Sequence, residues 1–392
     1  MKPDAGVRST SCPALAGPCP IESAKIDPVS PSICLGLVAD DVTGAGDASV
    51  QFAKRGWETF LVLGSQPVAR TGLQPQVLAV TTDSRALSNE SAEQLTFAAV
   101  THLINAGIDR VFIKIDSTMR GSVPGQVAGA LAAWRAKYAG CRAVVCPAYP
   151  RMGRTVQDGR LLVHGEPVER TAIGRDPVTP VTTGNMTTLL PASPFITIAD
   201  AATEDELNAV ASGIAAGGPG VIAVGSGGLA EAMAQVLSAV TGATPVKIPD
   251  VSGRSADRTR ANARMLLLVS SLNPVSHGQV TRLRQAFPGV VVILPPNARQ
   301  NSSNVAEALA AEFSELVERE RWDAVGLIGG DGARAALARL GASGIRIEDS
   351  VVEGIPRGVI VGGRADGLRV FTKAGGFGGE DALVRAVERM SA

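Results

Sequence analysis

The sequence contains few cysteines and few aromatic residues, and its charges cancel. Five cysteines among 392 residues, with no Cys-x-x-Cys pair, argue against a disulfide framework and against a zinc site. The 37 Lys and Arg residues equal the 37 Asp and Glu residues in number, so net charge gives no reason to expect a nucleic acid or an anionic membrane as a partner. The apolar runs, such as residues 265–269, are far shorter than the roughly 18 residues that span a bilayer. We therefore expect no nucleic-acid partner and no membrane-spanning segment.

The first thirty residues lack the apolar core that a signal peptide requires, although they contain several prolines, serines and glycines. We interpret residues 1–32 as a disordered leader without a function of its own, and we expect the protein to be cytoplasmic. A small-molecule ligand is then the expected partner, and the sequence leaves the formation of a homo-oligomer open.

The residues present in quantity are apolar residues and glycine. Hydrophobic residues make up 45% of the chain and charged residues 19%, which is the composition of a well-buried globular protein. A chain of 392 residues is longer than one hydrophobic core usually organises, so we expect two domains. The 44 glycines and 24 prolines indicate many turns between strands and helices, as in an α/β enzyme.

Short apolar runs alternate with helix-length stretches along most of the chain, and this alternation predicts parallel strands. The predicted strands cover residues 33–39, 59–63, 77–81, 111–115, 143–146, 194–198, 221–224, 265–271, 290–294, 324–328, 345–347, 359–361 and 369–372. Residues 243–263 are polar and contain prolines, which is typical of a linker. We therefore predict the α/β fold class, with two α/β domains at residues 33–242 and 264–392 whose mainly parallel sheets enclose a ligand cleft.

Two local patterns add detail to this organisation. The segments Thr203–Glu206 and Asn304–Glu307 each fit a capping box, so a helix is predicted to begin at each of them. Residues 147–195 interrupt the alternation with many Pro, Gly and Thr residues and show no clear elements. A segment of this length without elements is usually functional.

Charged side chains follow three predicted strands of the first domain, at the end where open α/β sheets bind ligands. Asp40 and Asp41 follow the first strand, and either carboxylate has the chemistry to orient or deprotonate a hydroxyl. Thr43, Gly44 and Gly46 come next and would open a helix whose free N–H groups suit an anion. The structural alternative is that Asp40 or Asp41 merely caps that helix.

The other two strand ends supply arginine, lysine and hydroxyl groups. Such a mixture suits a polyhydroxy acid, because Arg or Lys pairs with a carboxylate while Asp and the hydroxyls bind the OH groups. Helix capping by Asp116 and surface solvation of Arg85 are the structural alternatives. The candidate substrate-binding residues are Asp40, Asp41, Arg85, Lys114, Asp116, Ser117, Thr118 and Arg120, and the candidate catalytic carboxylates are Asp41 and Asp116.

The second domain offers glycine instead of charge. Glycine-rich turns after the strands at 324–328 and 369–372 lead into helices, so they expose N–H groups at a helix N-terminus as phosphate binding requires. A single turn of this type is more often a plain connection, but two of them in one domain favour a nucleotide site. The candidate nucleotide-binding residues are Ser271, Gly329, Gly330, Asp331, Gly332, Gly375 and Gly376.

Other nucleotide motifs are absent or partial. There is no Gly-x-x-x-x-Gly-Lys-Ser/Thr loop and no protein-kinase His-Arg-Asp or Asp-Phe-Gly set. Residues 225–230 match the loose Gly-x-Gly-x-x-Ala dinucleotide pattern but lack the acidic residue expected about 20 residues later. Residues 44–47 read Gly-Ala-Gly-Asp as in the ribokinase superfamily, where the segment lies near the C-terminus. An NAD(P) oxidoreductase, a ribokinase-like sugar kinase and a non-catalytic sugar-acid sensor therefore stay as alternatives.

Five motifs occur in the order found in the four-carbon acid sugar kinases, and the resemblance spans about residues 33–390. They are Asp40-Asp41-x-Thr43-Gly44-Ala45-x-Asp47, Lys114-x-Asp116-Ser117-Thr118-x-Arg120-Gly121, Pro147-Ala148-x-Pro150-x-x-Gly153-Arg154-Thr155, Gly329-Gly330-Asp331 and Lys373-x-Gly375-x-Phe377-Gly378. The chain resembles that family in its charged first domain and glycine-rich second domain. The resemblance implies a domain for the acid sugar, a domain for ATP, and phosphorylation of the 4-hydroxyl of threonate, erythronate or 3-oxo-tetronate.

The same resemblance implies which residues contact each ligand. Substrate contacts fall on Asp41, Arg85 and residues 114–118, and ATP contacts fall on Ser271, residues 329–332 and Gly375. We expect ATP with Mg²⁺ as cofactors, because phosphoryl transfer depends on alignment and on neutralising the phosphate charge. We expect Arg85 to bind the carboxylate of the acid and Arg120 to face the phosphoryl group.

The chain departs from the family at two positions of the nucleotide site. Many members have Ser-x-Ser where this chain has Ser271-Leu272-Asn273, and many have Thr or Ser where it has Gly332. Each departure removes a hydroxyl near a phosphate or metal, while the main-chain N–H groups are retained.

Overall fold

The computed structural model of the protein describes residues 35–62, 75–176, 178–241, 263–295 and 302–391. The predicted leader at 1–32 and nearly all of the predicted linker at 243–263 lie outside these ranges. Both therefore stay predictions.

The N-terminal part alternates strands with helices as the apolar pattern predicts. Its elements are β1 (Leu35–Ala39), α1 (Val42–Ala53), β2 (Thr59–Val62), β3 (Val77–Thr81), α2 (Asn89–Asn105), β4 (Val111–Lys114), α3 (Val123–Trp134), β5 (Arg142–Cys146), β6 (Arg154–Gln157), β7 (Arg160–Val163), β8 (Glu166–Pro167), α4 (Met186–Leu189), β9 (Ile196–Ile198), α5 (Glu204–Ala216), β10 (Val221–Gly225) and α6 (Gly227–Thr241). Both halves of the capping box at Thr203 and Glu206 are present, so that predicted helix start is confirmed.

The C-terminal part continues the alternation and ends with a helix. Its elements are β11 (Met265–Val269), α7 (Pro274–Ala286), β12 (Val291–Ile293), α8 (Ser302–Arg319), β13 (Ala324–Ile328), α9 (Gly330–Arg339), β14 (Gly344–Val352), β15 (Ile355–Val361), β16 (Arg369–Lys373) and α10 (Ala382–Ser391). The predicted start of α8 at Asn304 is wrong, because the helix already begins at Ser302. Among the described residues, no helix combines the length and the apolar character that crossing a bilayer requires.

The α/β fold class and the mainly parallel strand pairing are confirmed, but the strands of the two predicted sheets lie in one continuous sheet. In the part of the chain that the structure describes, its thirteen strands follow the order β12-β11-β13-β16-β15-β14-β2-β3-β1-β4-β10-β5-β9. The junction is the antiparallel pairing of β14 with β2, in which Gly344 lies opposite Val62 and Ile347 opposite Thr59. Since β14 spans nine residues, it reaches beyond the predicted 345–347 and joins both parts.

The strand directions explain how the carboxyl ends of the two parts meet. Three successive antiparallel pairs, β2 with β14, β14 with β15 and β15 with β16, separate the two parallel blocks. The N-terminal and C-terminal blocks therefore run in opposite directions within the sheet. Neighbouring strands rotate by roughly 20–25°, so the six steps from β1 to β13 add about 120–150° and turn the loops after both strands toward each other.

Helix α1 connects the two parts on one face of the sheet. It follows β1 in the N-terminal part and packs against β14 and β15 as well as β2 and β3. A Cβ atom on Gly46 would lie 2.9 Å from Cγ of Pro356 and 3.1 Å from Oγ1 of Thr372, so only glycine permits this approach. Gly46 thus serves helix packing, whereas the sequence suggested that it opens an anion site.

The segment 147–195 contains elements that the sequence analysis missed. Strands β6, β7 and β8 form a separate three-stranded antiparallel sheet. The turn between β6 and β7 is Asp158-Gly159, with φ of 49° and 67°, and the turn between β7 and β8 is His164-Gly165, with φ of 51° and 82°. Two consecutive residues with positive φ are typical of the tight turn of a β-hairpin.

Candidate active site

Three strand ends of the N-terminal part lie side by side and bring the predicted acid-sugar residues together. The sheet order β3-β1-β4 makes β1 the central strand of this group. Arg85 follows β3, Asp40 and Asp41 follow β1, and Lys114 ends β4 with Asp116 close behind. The expectation that these charged strand ends are neighbours therefore agrees with the geometry.

The guanidinium of Arg85 is fully engaged by the two aspartates after β1. Its Nε and Nη2 donate to Oδ2 and Oδ1 of Asp40 at 2.8 and 2.7 Å, and its Nη1 pairs with Oδ2 of Asp41. The Asp40 carboxylate is fully buried, so this bidentate pair compensates its charge. Since all three nitrogens of Arg85 have acidic partners, its positive charge is already compensated inside the protein.

Asp41 is both a helix cap and a poised carboxylate. Its Oδ1 accepts hydrogen bonds from the Gly44 N–H and, at 3.0 Å, from Oγ1 of Thr43, which caps α1. Burial acts to raise the pKa of Asp41, but Arg85 and the Gly44 N–H outweigh it and hold the pKa below its ordinary value. Asp41 is therefore ionised at neutral pH and is ready to accept a hydrogen bond from a hydroxyl.

Lys114 lies next to this cluster and points at a carboxylate that the sequence analysis gave no role. Its nearly buried ammonium donates to the Ile115 carbonyl at 3.2 Å and lies 3.6 Å from Oδ2 of Asp47. Burial raises the pKa of Asp47, and its Oδ1 is buried without a partner among the described residues. The pair joins β4 to α1 beside the site.

Asp116, the second candidate catalytic carboxylate, is held by its own loop. Nε and Nη2 of Arg120 donate to Asp116 at 3.2 and 2.9 Å, and Thr118 donates through its N–H and its hydroxyl. Burial acts to raise the pKa of Asp116, but Arg120 and Arg85 hold it far below its ordinary range. Because Nη1 of Arg120 also lies 3.4 Å from Oδ2 of Asp176, this guanidinium is occupied as well. The half-buried Ser117 hydroxyl has no protein partner in the described chain.

Arg154 is the arginine near this cluster that has no acidic partner among the described residues. It begins β6, its Nη1 donates to the Met152 carbonyl, and burial lowers its pKa, while Asp116 acts to raise it and Arg120 to lower it. A half-buried guanidinium without a carboxylate suits an acidic ligand. Arg154 is part of the motif that begins at Pro147, which could have identified it as a site residue. It does not follow a predicted strand, so it was not among the candidates.

A polar cavity of about 300 Å³ lies beside Arg85. Ser122 and Val123 at the start of α3 line it together with residues 178–182. Part of the long irregular segment therefore lines a cavity at this side of the cluster. The cavity gives a small molecule access to the loops after β3 and β4.

The predicted nucleotide loops also lie side by side, because β11, β13 and β16 are adjacent strands. The Gly329 N–H donates to the Lys373 carbonyl at 3.0 Å and ties the loop after β13 to the loop after β16. A Cβ atom on Gly375 would overlap Oγ of Ser271, and one on Gly376 would lie 2.9 Å from Nδ2 of Asn273. The loop after β11 therefore contacts the glycine loop after β16 through both residues.

The absence of a hydroxyl at position 332 has a structural reason. The Gly332 N–H donates to Oγ of Ser270 at 3.2 Å, and a Cβ atom on Gly332 would overlap the Ser270 side chain. Ser270 therefore supplies, from the end of β11, a hydroxyl at the start of α9. Sequence reasoning selected Ser271 and missed Ser270, although both follow the same strand.

We expect Gly332→Ser to destabilise the protein by about 1–3 kcal/mol, because its side chain competes with Ser270 for the same space. The double variant Ser270→Gly with Gly332→Ser should regain most of that loss, since the hydroxyl then comes from position 332. Thermal unfolding of both single variants and of the double variant gives the coupling free energy between positions 270 and 332. Additive effects of the two substitutions would contradict this packing.

The two groups of loops meet where α9 begins. A Cβ atom on Gly330 would lie 3.6 Å from Cβ of Asp41, so the loop after β13 contacts the acid cluster directly. Among the described residues, the N–H groups of Gly330 and Asp331 donate to no acceptor. The predicted cleft between an acid-sugar part and a nucleotide part thus corresponds to a direct contact between Asp41 and the N-terminus of α9.

Asp83 adds a further carboxylate to this junction. Its Oδ2 lies 3.4 Å from Nε of Arg334 on α9, so the pair connects the loop after β3 with the helix. Burial raises the pKa of Asp83 to about 6, helped by the carboxylates of Asp41 and Asp331 and opposed by Arg334. This local excess of negative charge suits a cation. Asp83 was not among the candidate residues, although an acidic side chain just after a strand, two residues before Arg85, could have indicated a role in the site.

The glycine pattern at 225–230 has a packing role. Oγ of Ser226 donates to the Ala148 carbonyl at 2.6 Å and accepts from the Gly228 N–H at 3.0 Å. A Cβ atom on Gly227 would lie 2.5 Å from Oδ2 of Asp47, so the protein's own carboxylate lies at the start of α6. Residues 225–230 are buried and leave no surface for a dinucleotide.

Comparison with known proteins agrees with this division into two sites. A model described as a sugar-binding N-terminal domain matches residues 35–194, and a model described as a nucleotide-binding C-terminal domain matches residues 295–383. A D-threonate kinase from Bordetella bronchiseptica is 36% identical over 397 residues, which cover 90% of this chain and 96% of the relative. A D-erythronate kinase from Heliobacterium modesticaldum is 27% identical over 424 residues, which cover 90% and 96%.

A solved structure shows the same fold. A protein from Haemophilus influenzae superposes with a TM-score of 0.65 at 18% identity and covers 90% of this chain and 99% of its own. The extended identity to the Bordetella bronchiseptica enzyme and both domain models confirm the resemblance predicted from the motifs. The chain belongs to the four-carbon acid sugar kinase family.

Proposed function

We propose that the protein is an ATP-dependent kinase that phosphorylates the terminal 4-hydroxyl of a four-carbon sugar acid. The observation that carries this proposal is the contact between Gly330 at the start of α9 and Asp41 at the start of α1. In this arrangement the N-terminus of α9, whose first N–H groups have no acceptor among the described residues, lies next to a carboxylate that would accept a hydrogen bond from a substrate hydroxyl. Phosphoryl transfer depends chiefly on such alignment of donor and acceptor.

The sugar acid would bind between the loops after β1, β3 and β4. Ionised Asp41 would orient the attacking hydroxyl and accept its proton, while the Ser117 hydroxyl and Lys114 would contact other oxygens of the acid. Arg154 would bind the carboxylate, because Arg85 and Arg120 are already engaged by aspartates. D-threonate is the first acid to test, since the 36% identical relative is a D-threonate kinase.

The nucleotide would bind on the loops after β11, β13 and β16, with its terminal phosphate at the N–H groups of Gly330 and Asp331. The described residues contain no group of three protein ligands for a metal ion. Magnesium commonly uses one or two carboxylates together with phosphate oxygens, so Asp83 and Asp331 fit it. When bound, it would neutralise phosphate charge.

A release assay tests the proposal directly. The protein is incubated with ATP, Mg²⁺ and isomers of threonate, erythronate or 3-oxo-tetronate, ADP is measured, and phosphorus NMR locates the new ester. ADP release that requires one of these acids, with the ester on its terminal oxygen, is the expected result. Binding of an acid without ADP release would instead indicate a sugar-acid sensor, and NAD(P) binding would indicate an oxidoreductase.

We expect Arg154→Lys to raise the KM for the acid by about 10- to 150-fold with little change in kcat, because one of two parallel hydrogen bonds to the carboxylate is lost. Arg160→Lys is the matched control, since Arg160 lies on the next strand and pairs with Glu169 at 3.0 Å. Arg85→Lys should mainly lower kcat, because Arg85 orients Asp41. If Arg85→Lys raises KM and Arg154→Lys does not, the carboxylate binds at Arg85.

A further inference from the structure

Three buried side chains lie beneath the glycine-rich loop at residues 374–379, and none of them is among the candidate nucleotide-binding residues, although Lys373 begins the fifth motif. Lys373, Ser276 and Gln279 have exposed fractions of 0%, 0% and 1%. Lys373 ends β16, while Ser276 and Gln279 lie on α7. Lys373 has no acidic partner among the described residues, which is rare for a buried lysine.

All three side chains donate hydrogen bonds to carbonyl groups of the loop. The Lys373 ammonium donates to the carbonyls of Ala374 and Gly375 at 2.9 and 3.0 Å, and Oγ of Ser276 donates to the Gly375 carbonyl at 2.6 Å. Nε2 of Gln279 donates to the carbonyls of Phe377, Gly378 and Gly379 at 3.1, 3.1 and 2.7 Å. Five of the six carbonyl oxygens of residues 374–379, all except that of Gly376, therefore accept hydrogen bonds from these side chains.

The direction of each carbonyl fixes the direction of the next N–H. In a trans peptide the C=O and N–H bonds of one unit point in opposite directions, and the described chain has no cis peptide bond. The N–H groups of Gly375, Gly376, Gly378 and Gly379 thus point away from the three side chains, and they donate to no described residue. The loop also borders Ser271 and Asn273 of the loop after β11, so it lies within the predicted nucleotide site.

We propose that Lys373, Ser276 and Gln279 are positioning residues that hold the carbonyls of residues 374–379 inward, so that the loop presents its N–H groups to the polyphosphate of a nucleotide. The inference rests on the proposed nucleotide site and names the side chains that shape it. Successive N–H groups turned to one side form an anion-binding concavity. The Lys373 ammonium adds a positive charge behind the loop that no carboxylate of the described residues cancels.

The charge of Lys373 should make ADP binding depend on pH, which a purely structural side chain would not do. Burial lowers its pKa to about 8. A bound polyphosphate favours the ammonium form, so it raises that pKa and binding takes up a proton near pH 8. The affinity of the wild-type protein for ADP should therefore fall as pH rises through about 8, and Lys373→Met should lack this step.

Calorimetry with ADP and with inorganic tripolyphosphate tests the proposal. We expect Lys373→Met, Gln279→Leu and Ser276→Ala each to weaken both ligands by about tenfold or more, with the KM for the acid unchanged. Ser314→Ala is the matched control, because Oγ of Ser314 is also buried and donates to a carbonyl, that of Ala310 within α8. Its affinities should equal those of the wild type, and thermal unfolding checks each variant.

The outcomes separate this inference from the proposed function. Folded variants that bind both ligands within twofold of the wild type would overturn the positioning role. Weaker binding of ADP with unchanged binding of tripolyphosphate would overturn it too, because the residues would then act on the nucleoside. If Lys373→Met does not fold, the ligand affinities of Ser276→Ala test the positioning role instead. This variant removes only one hydroxyl and should therefore fold. A wild-type protein that binds neither ligand would contradict the nucleotide site itself.

Discussion

Replacing Asp41 with asparagine should lower kcat by at least about 10²-fold while leaving the fold intact. The substitution removes the charge that orients and deprotonates the hydroxyl, and general acid-base groups contribute at least about 10²-fold. Asparagine caps helices as well as aspartate does, so the start of α1 should persist. Arg85 also retains its bidentate pair with Asp40. Steady-state kinetics, with thermal unfolding as the check on folding, measure the effect.

The control for this variant is Asp205→Asn, which makes the same change at an exposed aspartate in the first turn of α5. It should leave kcat at the wild-type value. Because Arg85 and the Gly44 N–H hold the pKa of Asp41 below its ordinary value, Asp41 should stay ionised, and kcat should be maintained, at a pH where an ordinary aspartate is already protonated. A folded Asp41→Asn protein with nearly wild-type kcat would reduce Asp41 to the cap of α1.

The strand ends could be predicted from sequence because they depend on local pattern alone. A buried apolar run followed by Asp40 and Asp41 fixes where β1 stops, and parallel pairing then puts the ends of β3 and β4 beside it. The same logic located the glycine loops after β13 and β16. The local pattern did not predict the partner of each side chain. Arg85, for example, pairs with Asp40 and Asp41 inside the protein.

Features that depend on distant contacts could not be predicted in this way. No local pattern shows that β14 continues to Val352 and pairs with β2, which lies more than 280 residues earlier. That Arg154 lies close enough to Asp116 and Arg120 to feel their charges depends on how β6 lies against the loop after β4. The hairpin between β6 and β7, by contrast, was predictable from local sequence, because Asp158-Gly159 is a strong turn signal. The prolines around it obscured that signal.

The opposite directions of the two parallel blocks have a functional consequence. The loops after β1 and β13 can face each other only because the antiparallel strands between them and the accumulated twist turn the sheet. Helix α1 then carries Asp41 at its start and packs through Gly46 against Pro356 of the other part. The position of Asp41 relative to α9 is therefore fixed by the continuous sheet and by α1 together.

Replacing Gly330 with valine should lower kcat/KM for ATP by at least about 10²-fold, because a branched side chain would lie between Asp41 and the free N–H groups of α9. Two charge-assisted hydrogen bonds to phosphate contribute about 1.5–3 kcal/mol each, which supports a loss of this size. The Cβ atom alone would lie 3.6 Å from Cβ of Asp41, an ordinary contact. Gly330→Ala should therefore keep much more activity than Gly330→Val.

Calorimetry with two ligands and a control variant test this prediction. Calorimetry with ATP and with the sugar acid should show that Gly330→Val loses mainly ATP affinity, because the loops after β3 and β4 are unchanged. Gly213→Val is the control, since Gly213 lies on α5 and a Cβ atom there meets nothing within 4 Å. It makes the same side-chain change on a helix without blocking a ligand. If Gly330→Val binds ATP as the wild type does, the terminal phosphate does not bind at the start of α9, and the alignment of Asp41 with that helix would have another purpose.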